Sequence, residues 1–180
     1  MYAIIIALLI QTPETKSCFV IANDRAPVEA KIISSAKNRV AVLESDGTIN
    51  VYTSEEVHFT KLAALTKLLE YVDRGNAKTQ LAYQETKSQI PEQTPSDYIW
   101  SYSIFDGLIY GKAIATHDEY TIIAPHKGKQ PAVVLTHSLQ PREKAIASYD
   151  ANHQETTKIW QDRINHIKTA ILAEFDIKAK

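Results

Sequence analysis

Six histidines raise the question of a metal or acid–base site in this sequence. His117, His126 and His137 fall in one β-rich region, and Asp162 and His166 lie four residues apart on one face of a predicted helix. Their spacings match neither zinc-finger nor metalloprotease patterns. A helix surface also lacks the cleft that an acid–base pair needs. The sequence therefore predicts no metal site, and we interpret the Asp–His pair as a structural contact.

Motifs for nucleotide binding and nucleophilic catalysis are missing from the sequence. Its five glycines form neither a P-loop nor a dinucleotide fingerprint, and no serine stands in a GxSxG elbow. We therefore expect a protein that is not an enzyme and needs no cofactor. An enzyme whose catalytic residues are scattered along the chain stays an alternative.

Basic and aromatic side chains are the better candidates, because they suggest a binding surface. Lysine and arginine neutralise phosphates or carboxylates, and exposed aromatic rings stack on bases or hold a peptide. The candidate residues are four cations and two tyrosines: Lys31, Arg39, Lys127, Lys129, Tyr52 and Tyr120.

Net charge decides between the two classes of partner. The chain carries 20 Lys and Arg against 21 Asp and Glu, which gives a formal charge of -1. A surface that binds duplex nucleic acid usually belongs to a domain with a net positive field. We therefore expect a protein partner, with a nucleic-acid-binding regulator as the alternative.

A repeated pattern of β-rich runs must position these candidate residues. The pattern of Ala30–Phe59 returns 81 positions later in Gly111–Gln140, with a lysine, a polar break and a glycine-centred turn in the same order. Identical residues at this offset are few: Lys31/Lys112, Ile33/Ile114 and Gly47/Gly128. The pattern predicts two small β-units, and whether they arose by duplication stays open.

The two β-rich stretches also resemble a known kind of fold. Their short strands, together with the Asp46-Gly47 hairpin turn and the Val57-His58-Phe59 ending of the first stretch, resemble SH3-like barrels of the Tudor and KOW kind. Such barrels often serve nucleic-acid proteins or peptide recognition, so the resemblance implies binding over catalysis. The alternative architecture is one continuous antiparallel sheet with helices on one face.

Within the first unit, strand alternation predicts which side chains are buried. We expect Ile49 and Val51 to point inward and Tyr52 to point outward. Cys18 has no cysteine partner, so we expect a core residue in a reducing, cytoplasmic compartment.

The N-terminal apolar run, Tyr2 to Ile10, is too short to span a bilayer and lacks preceding basic residues. We expect it to be a buried strand in a hairpin with Ser17–Ala22, and we expect no membrane association.

Helical patterns follow each β-unit, which predicts an α+β fold. Thr60 is expected to cap a helix that ends at Gly75, and a weaker helix is expected from Ala77 to Gln89. Two prolines in the next stretch indicate a linker at 91–97. The predicted domains are therefore residues 1–90 and 98–180.

The C-terminal run from Ile146 to Phe175 has helical apolar spacing. Asn152 and Glu155 resemble a capping pair, so a short helix is expected to end near Ser148 and a long one to begin near His153. The apolar stripe of the long helix suggests a seam for a protein partner or for a homodimer.

Overall fold

The structure is a computed structural model that describes residues 16–22, 26–127 and 130–178, with side chains described as far as residue 175. Over these residues the fold is α+β, as the sequence predicts. It consists of two antiparallel five-stranded sheets, one of them curled into a half-barrel, and two long helices.

The first sheet is a four-stranded meander with a short fifth strand. The predicted Asp46-Gly47 turn is present in it. Gly47 adopts φ +87° there, where glycine avoids the strain of a side chain. The strand order is β4-β3-β2-β1-β5. The strands are β1 Ser17–Val20, β2 Val28–Ala36, β3 Arg39–Glu44, β4 Ile49–Thr53 and β5 Val57–His58.

The second sheet follows the same plan. Its strand order is β10-β6-β7-β8-β9, so a fifth short strand again pairs with the first strand of a meander. Gly107 has φ +73° in the Asp106-Gly107 turn. The strands are β6 Tyr98–Ser103, β7 Gly107–Thr116, β8 Tyr120–Pro125, β9 Ala132–Leu135 and β10 Leu139–Gln140.

The pairing registers of the two sheets also coincide. In the first sheet Lys31 pairs with Leu43, and in the second Lys112 pairs with Ala124. Both residues of the second pair lie 81 positions after their counterparts in the first. The register of β2 shifts between Ile32 and Ser34, and that of β7 shifts between Ala113 and Ala115, which is the same position. One additional residue lies between β8 and β9, so the later strands correspond at an offset of 82.

The first helix, α1, runs without interruption over Lys61–Gln89. Thr60 caps it as predicted, because its hydroxyl accepts a hydrogen bond from the Ala63 amide at 3.2 Å. The predicted end at Gly75 and the separate helix from Ala77 are wrong. Gly75 lies inside the helix, where a Cβ would come within 2.8 Å of the Trp160 ring. The glycine therefore makes room for a tryptophan and does not end the helix.

The second helix, α2, is continuous over Arg142–Lys178. The predicted division between Ser148 and His153 is therefore wrong. Asp150 lies in the helix interior with its carboxylate 2.8 Å from the Lys87 ammonium. Asp150 and Asn152 resemble a helix boundary only when such a partner is unknown.

The chain divides into two compact units whose boundaries fall inside the helices. The first takes its described residues from Met1–Asp73 and Arg163–Lys180, and the second from Arg74–Asp162. Residues 90–97 form neither helix nor strand. The domain boundaries predicted from the sequence stay a prediction.

Each unit has its own buried cluster. In the first unit the cluster is formed by one face of the sheet: Cys18, Val20, Ala30, Val40, Val42 and Val57. In the second unit Trp100 and Tyr110 of the sheet pack with Ala145 of α2. Their rings stack at a centroid distance of 4.4 Å.

Cys18 is fully buried, as predicted, and burial raises the pKa of its thiol. The predicted strand at Tyr2–Ile10 lies outside the described residues. Strand β1 pairs with β2 on one side and with β5 on the other at Phe19 and Val20. No helix among the described residues is long and apolar enough to cross a membrane.

Candidate interaction surface

The outer face of the first sheet carries exposed aliphatic side chains. Leu43 of β3 pairs with Ile49 of β4, and Ala41 pairs with Val51, so these residues share one face. The exposed fraction is 65% for Ile49, 59% for Val51 and 37% for Leu43. We call Leu43, Ile49 and Val51 the outer patch.

The predicted orientation of β4 is wrong. Ile49 and Val51 point outward, whereas Tyr52 is partly buried against the core of the first unit. Tyr52 pairs with buried Val40, and its hydroxyl donates a hydrogen bond to Glu44 Oε1 at 2.5 Å. A tyrosine ring covers more apolar surface than a valine, and its hydroxyl still finds a polar partner at the rim of the core.

Lys31 and Arg39 lie on the same face as the outer patch. Lys31 pairs with Leu43, and Arg39 pairs with Thr53 at the other end of β4. Both are exposed, and neither forms an ion pair with a described residue. Lys31 and Leu43 also line a shallow cavity of about 350 Å³ beside the Gly47 turn.

The second sheet has an outer face of the same kind. Tyr120 pairs with Leu135, and Ile122 pairs with Val133. Tyr120 is 48% exposed and Val133 is 60% exposed. Position 120 thus carries an aromatic ring where the first sheet has Arg39.

The remaining two basic candidates belong to the loop that follows β8. Lys127 is exposed there. Lys129 lies outside the described residues. The surface formed by the loop therefore stays a prediction.

The three histidines of the second unit have separate surroundings. His126 contacts Tyr98, whose hydroxyl lies 3.1 Å from Nδ1, while the amide of His117 donates a hydrogen bond to the Tyr120 carbonyl. His137 is exposed in the single helical turn Thr136–Ser138. Within the part of the chain that the structure describes, no three His, Cys, Asp or Glu side chains converge as a metal site would require.

The structure also contains a polar cluster between α1 and α2 that sequence reasoning missed. In the second unit, the Lys87 ammonium and the Tyr83 hydroxyl both bind the Asp150 carboxylate, at 2.8 and 2.9 Å. The Tyr83 ring stacks on His153 at a centroid distance of 3.6 Å. Burial, followed by the hydrogen bond to Asp150, raises the pKa of Tyr83.

This cluster fixes how the two helices pair within the second unit. The Gln80 amide adds a hydrogen bond to Thr157 at 2.8 Å, one turn from His153. Each charged group already has a partner, which is typical of a structural network and not of a catalytic site. Tyr83 and Lys87 lie four residues apart, which is a sequence signal that they share a helix face. This spacing does not identify Asp150, 63 residues after Lys87, as their partner.

Helix α2 exposes apolar side chains, as the predicted seam requires. Ile159 is 57% exposed in the second unit, and Leu172 and Phe175 are 64% and 55% exposed in the first. Whether these residues contact a second chain stays a prediction.

No protein-family model matches this chain, and no curated protein matches it significantly. The functional proposal therefore rests on the sequence, the fold and the surfaces described above.

Proposed function

We propose that this is a non-enzymatic interaction protein that binds a protein partner through the outer face of its first sheet. One observation carries the proposal: the side chains of Ile49 and Val51 are 65% and 59% exposed, although the opposite face of β4 packs against the core of the first unit through Tyr52. Burying a side chain of this size completely contributes about 1.5–3 kcal/mol, so a partner that covers both gains substantially.

The chemistry of the outer patch favours a protein over a nucleic acid. Surfaces that bind single strands present aromatic rings along a basic groove. Here the exposed side chains are aliphatic, and Tyr52, the predicted aromatic of this face, packs toward the core. Aliphatic side chains are best covered by the apolar side chains of another protein.

The charges beside the outer patch suggest what the partner carries. Lys31 and Arg39 flank the aliphatic residues and have no ion-pair partner among the described residues. A partner segment with apolar residues next to an aspartate or glutamate would satisfy both features. The proposed ligand class is therefore an acidic, apolar peptide segment of another protein.

The proposal includes a tandem arrangement of SH3-like modules. It is supported by the identical strand orders, by the register shifts at equivalent positions of β2 and β7, and by the matching burial of β3 and β8. Peptide recognition by such barrels supports a binding role by analogy. A cytoplasmic location is part of the same proposal, supported by the single free cysteine.

A displayed library of random peptides, selected on the purified full chain, tests the proposal. We expect selected peptides to share apolar residues next to an acidic residue. Val51→Glu should weaken their binding at least about tenfold, because it adds a charge to the outer patch. Thr66→Glu, at an exposed position of α1, is the matched control and should bind like the wild type. Peptides that bind Val51→Glu as tightly as the wild type would contradict the proposal.

Nucleic-acid binding is the second candidate, because Lys31 and Arg39 share one face. Fluorescence anisotropy with labelled single- and double-stranded DNA and RNA tests it. This candidate predicts affinity that falls steeply with salt and is lost on charge reversal at Lys31 and Arg39. Lys127→Glu and Lys129→Glu test the loop after β8 in the same assay. Absence of binding at low salt would exclude it.

A further inference from the structure

Strand β4 is the edge of the first sheet, with β3 as its only neighbour among the described residues. At its two ends, the Glu44 amide binds the Thr48 carbonyl and the Ser54 amide binds the Asn38 carbonyl. Hydrogen bonds alternate along an antiparallel pair, so Asn50 and Tyr52 bond to β3. The amides and carbonyls of Ile49, Val51 and Thr53 therefore face away from the sheet.

One of these three residues is already hydrogen-bonded. The Thr53 amide donates to Glu56 Oε2 at 2.8 Å, which closes one end of the edge. The amides and carbonyls of Ile49 and Val51 have no hydrogen-bond partner in the part of the chain that the structure describes. The strand, INVYT, contains no charged residue and no proline. It therefore lacks the devices with which proteins usually protect an edge strand.

The corresponding edge of the second sheet is protected. Pro131 takes the place of Ile49 at the offset of 82, and a proline has no amide to donate. The carbonyl of Leu135, the counterpart of Thr53, accepts a hydrogen bond from the Ser138 hydroxyl at 2.7 Å. Two sheets built to one plan thus differ in whether another strand can be added.

We infer that β4 pairs with β4 of a second copy of this chain, in an antiparallel arrangement with its two-fold axis at Asn50. Ile49 then lies opposite Val51 of the second copy, and Val51 opposite Ile49. Each free amide meets a free carbonyl, which forms four hydrogen bonds between the strands and leaves the Thr53–Glu56 contact intact.

The side chains fit a second copy of this chain. The register places Ile49 of one copy beside Val51 of the other on the outer face, so two exposed aliphatic residues cover each other. The register also brings the end of one sheet, where Arg39 lies, next to the Asp46 turn of the other copy. Arg39 and Asp46 carry opposite charges. At the Arg39 end, Glu56 is already hydrogen-bonded within its own chain. The pairing does not require the partner proposed for the outer face.

Sedimentation equilibrium of the full chain over a range of concentrations tests the inference. We expect a reversible dimer. Ile49→Pro copies the residue of the second sheet and removes one donor from each strand, so it should raise the dimer dissociation constant at least about tenfold. Val51→Lys places a charge on the edge and should have the same effect. The matched control is Val133→Pro on the second edge, which should leave the dimer unchanged, with circular dichroism confirming the fold of all variants.

Two results would overturn the inference. A wild-type chain that stays monomeric at every concentration would do so, including the case in which slow hydrogen exchange at Ile49 and Val51 shows that the edge is covered within one chain. A dimer that resists both Ile49→Pro and Val51→Lys would also do so, because association would then use another surface such as α2. Either result leaves the peptide-binding test of the outer face independent.

Discussion

The two sheets share strand order and register, yet they differ at single positions that decide how closely their strands approach. Ala30 of β2 is buried in the first sheet, and its counterpart in β7 is Gly111. A Cβ at Gly111 would lie 1.9 Å from the Ala124 carbonyl oxygen. Turns and the register shift therefore set the topology of each sheet, while individual residues set strand spacing and edge chemistry.

The largest effect is expected from exchanging the residues at this pair of positions. Gly111→Ala forces β7 and β8 apart, because the contact is with backbone and no side chain can move aside. We expect a loss of about 3 kcal/mol in the free energy of unfolding, measured by urea denaturation.

Ala30→Gly is the reciprocal change, and it should cost about 1 kcal/mol through lost burial and added chain entropy. Equal losses at the two positions would show that the sheets do not differ in strand spacing.

The next effect concerns two tyrosines: Tyr52 on the inner face of the first sheet and Tyr120 on the outer face of the second. Tyr52→Phe removes the hydrogen bond to Glu44 and should lower the free energy of unfolding by about 1 kcal/mol. Tyr120→Phe is the control from the outer face of the second sheet and should leave stability unchanged. A larger loss from Tyr120→Phe would contradict the stabilising role of the Tyr52–Glu44 hydrogen bond.

A smaller, pH-dependent effect is expected at the short fifth strands. His58 of β5 is matched by Gln140 of β10, and burial, followed by Lys67, lowers the pKa of His58 below its ordinary value of 6.5. The unfolded chain then binds the proton more tightly, so stability falls as the pH drops below 6.5 and levels off below the lowered pKa.

His58→Gln copies the second sheet and should reduce this pH dependence. Urea denaturation of both chains at pH 7.5 and pH 5 measures the difference. An unchanged pH dependence in the variant would assign the titration to other groups.

The smallest effect on stability is expected when the second edge is opened. Pro131→Ile gives β9 the residue that begins β4, so the free energy of unfolding should stay nearly the same while concentration-dependent association increases. Sedimentation equilibrium of this variant, with the wild type as control, measures the change. A variant that associates no more than the wild type would show that proline does not protect this edge.

Much of the fold could be predicted from local sequence. The strands were recognisable because the Asp46-Gly47 and Asp106-Gly107 turns separate runs of β-branched and aromatic residues. The Thr60 cap was recognisable because a threonine precedes an apolar helical pattern. These signals lie within a few residues of the structure that they determine.

The errors came from interactions between residues far apart in sequence. Gly75 predicts a helix end because Trp160, whose ring lies where a side chain at Gly75 would be, is 85 positions away in sequence. Asn152 and Glu155 predict a helix start, because the sequence alone does not show that Asp150, two positions earlier, pairs with Lys87 inside a continuous helix. In β4 the sequence pattern is ambiguous, because both faces of the strand carry apolar or aromatic side chains. The structure buries the face with the larger ring, that of Tyr52. For the candidate surface, exposure of Lys31 and Arg39 was predictable, but the aliphatic outer patch was not.

The position of Cys18 also makes the two units separately measurable. It is the only cysteine of the chain and is fully buried in the first unit, so a thiol reagent reacts only when that unit opens. Both tryptophans, Trp100 and Trp160, belong to the second unit and report on it by fluorescence. Labelling kinetics and fluorescence on the same unmodified chain can therefore establish whether the two units unfold together or one at a time.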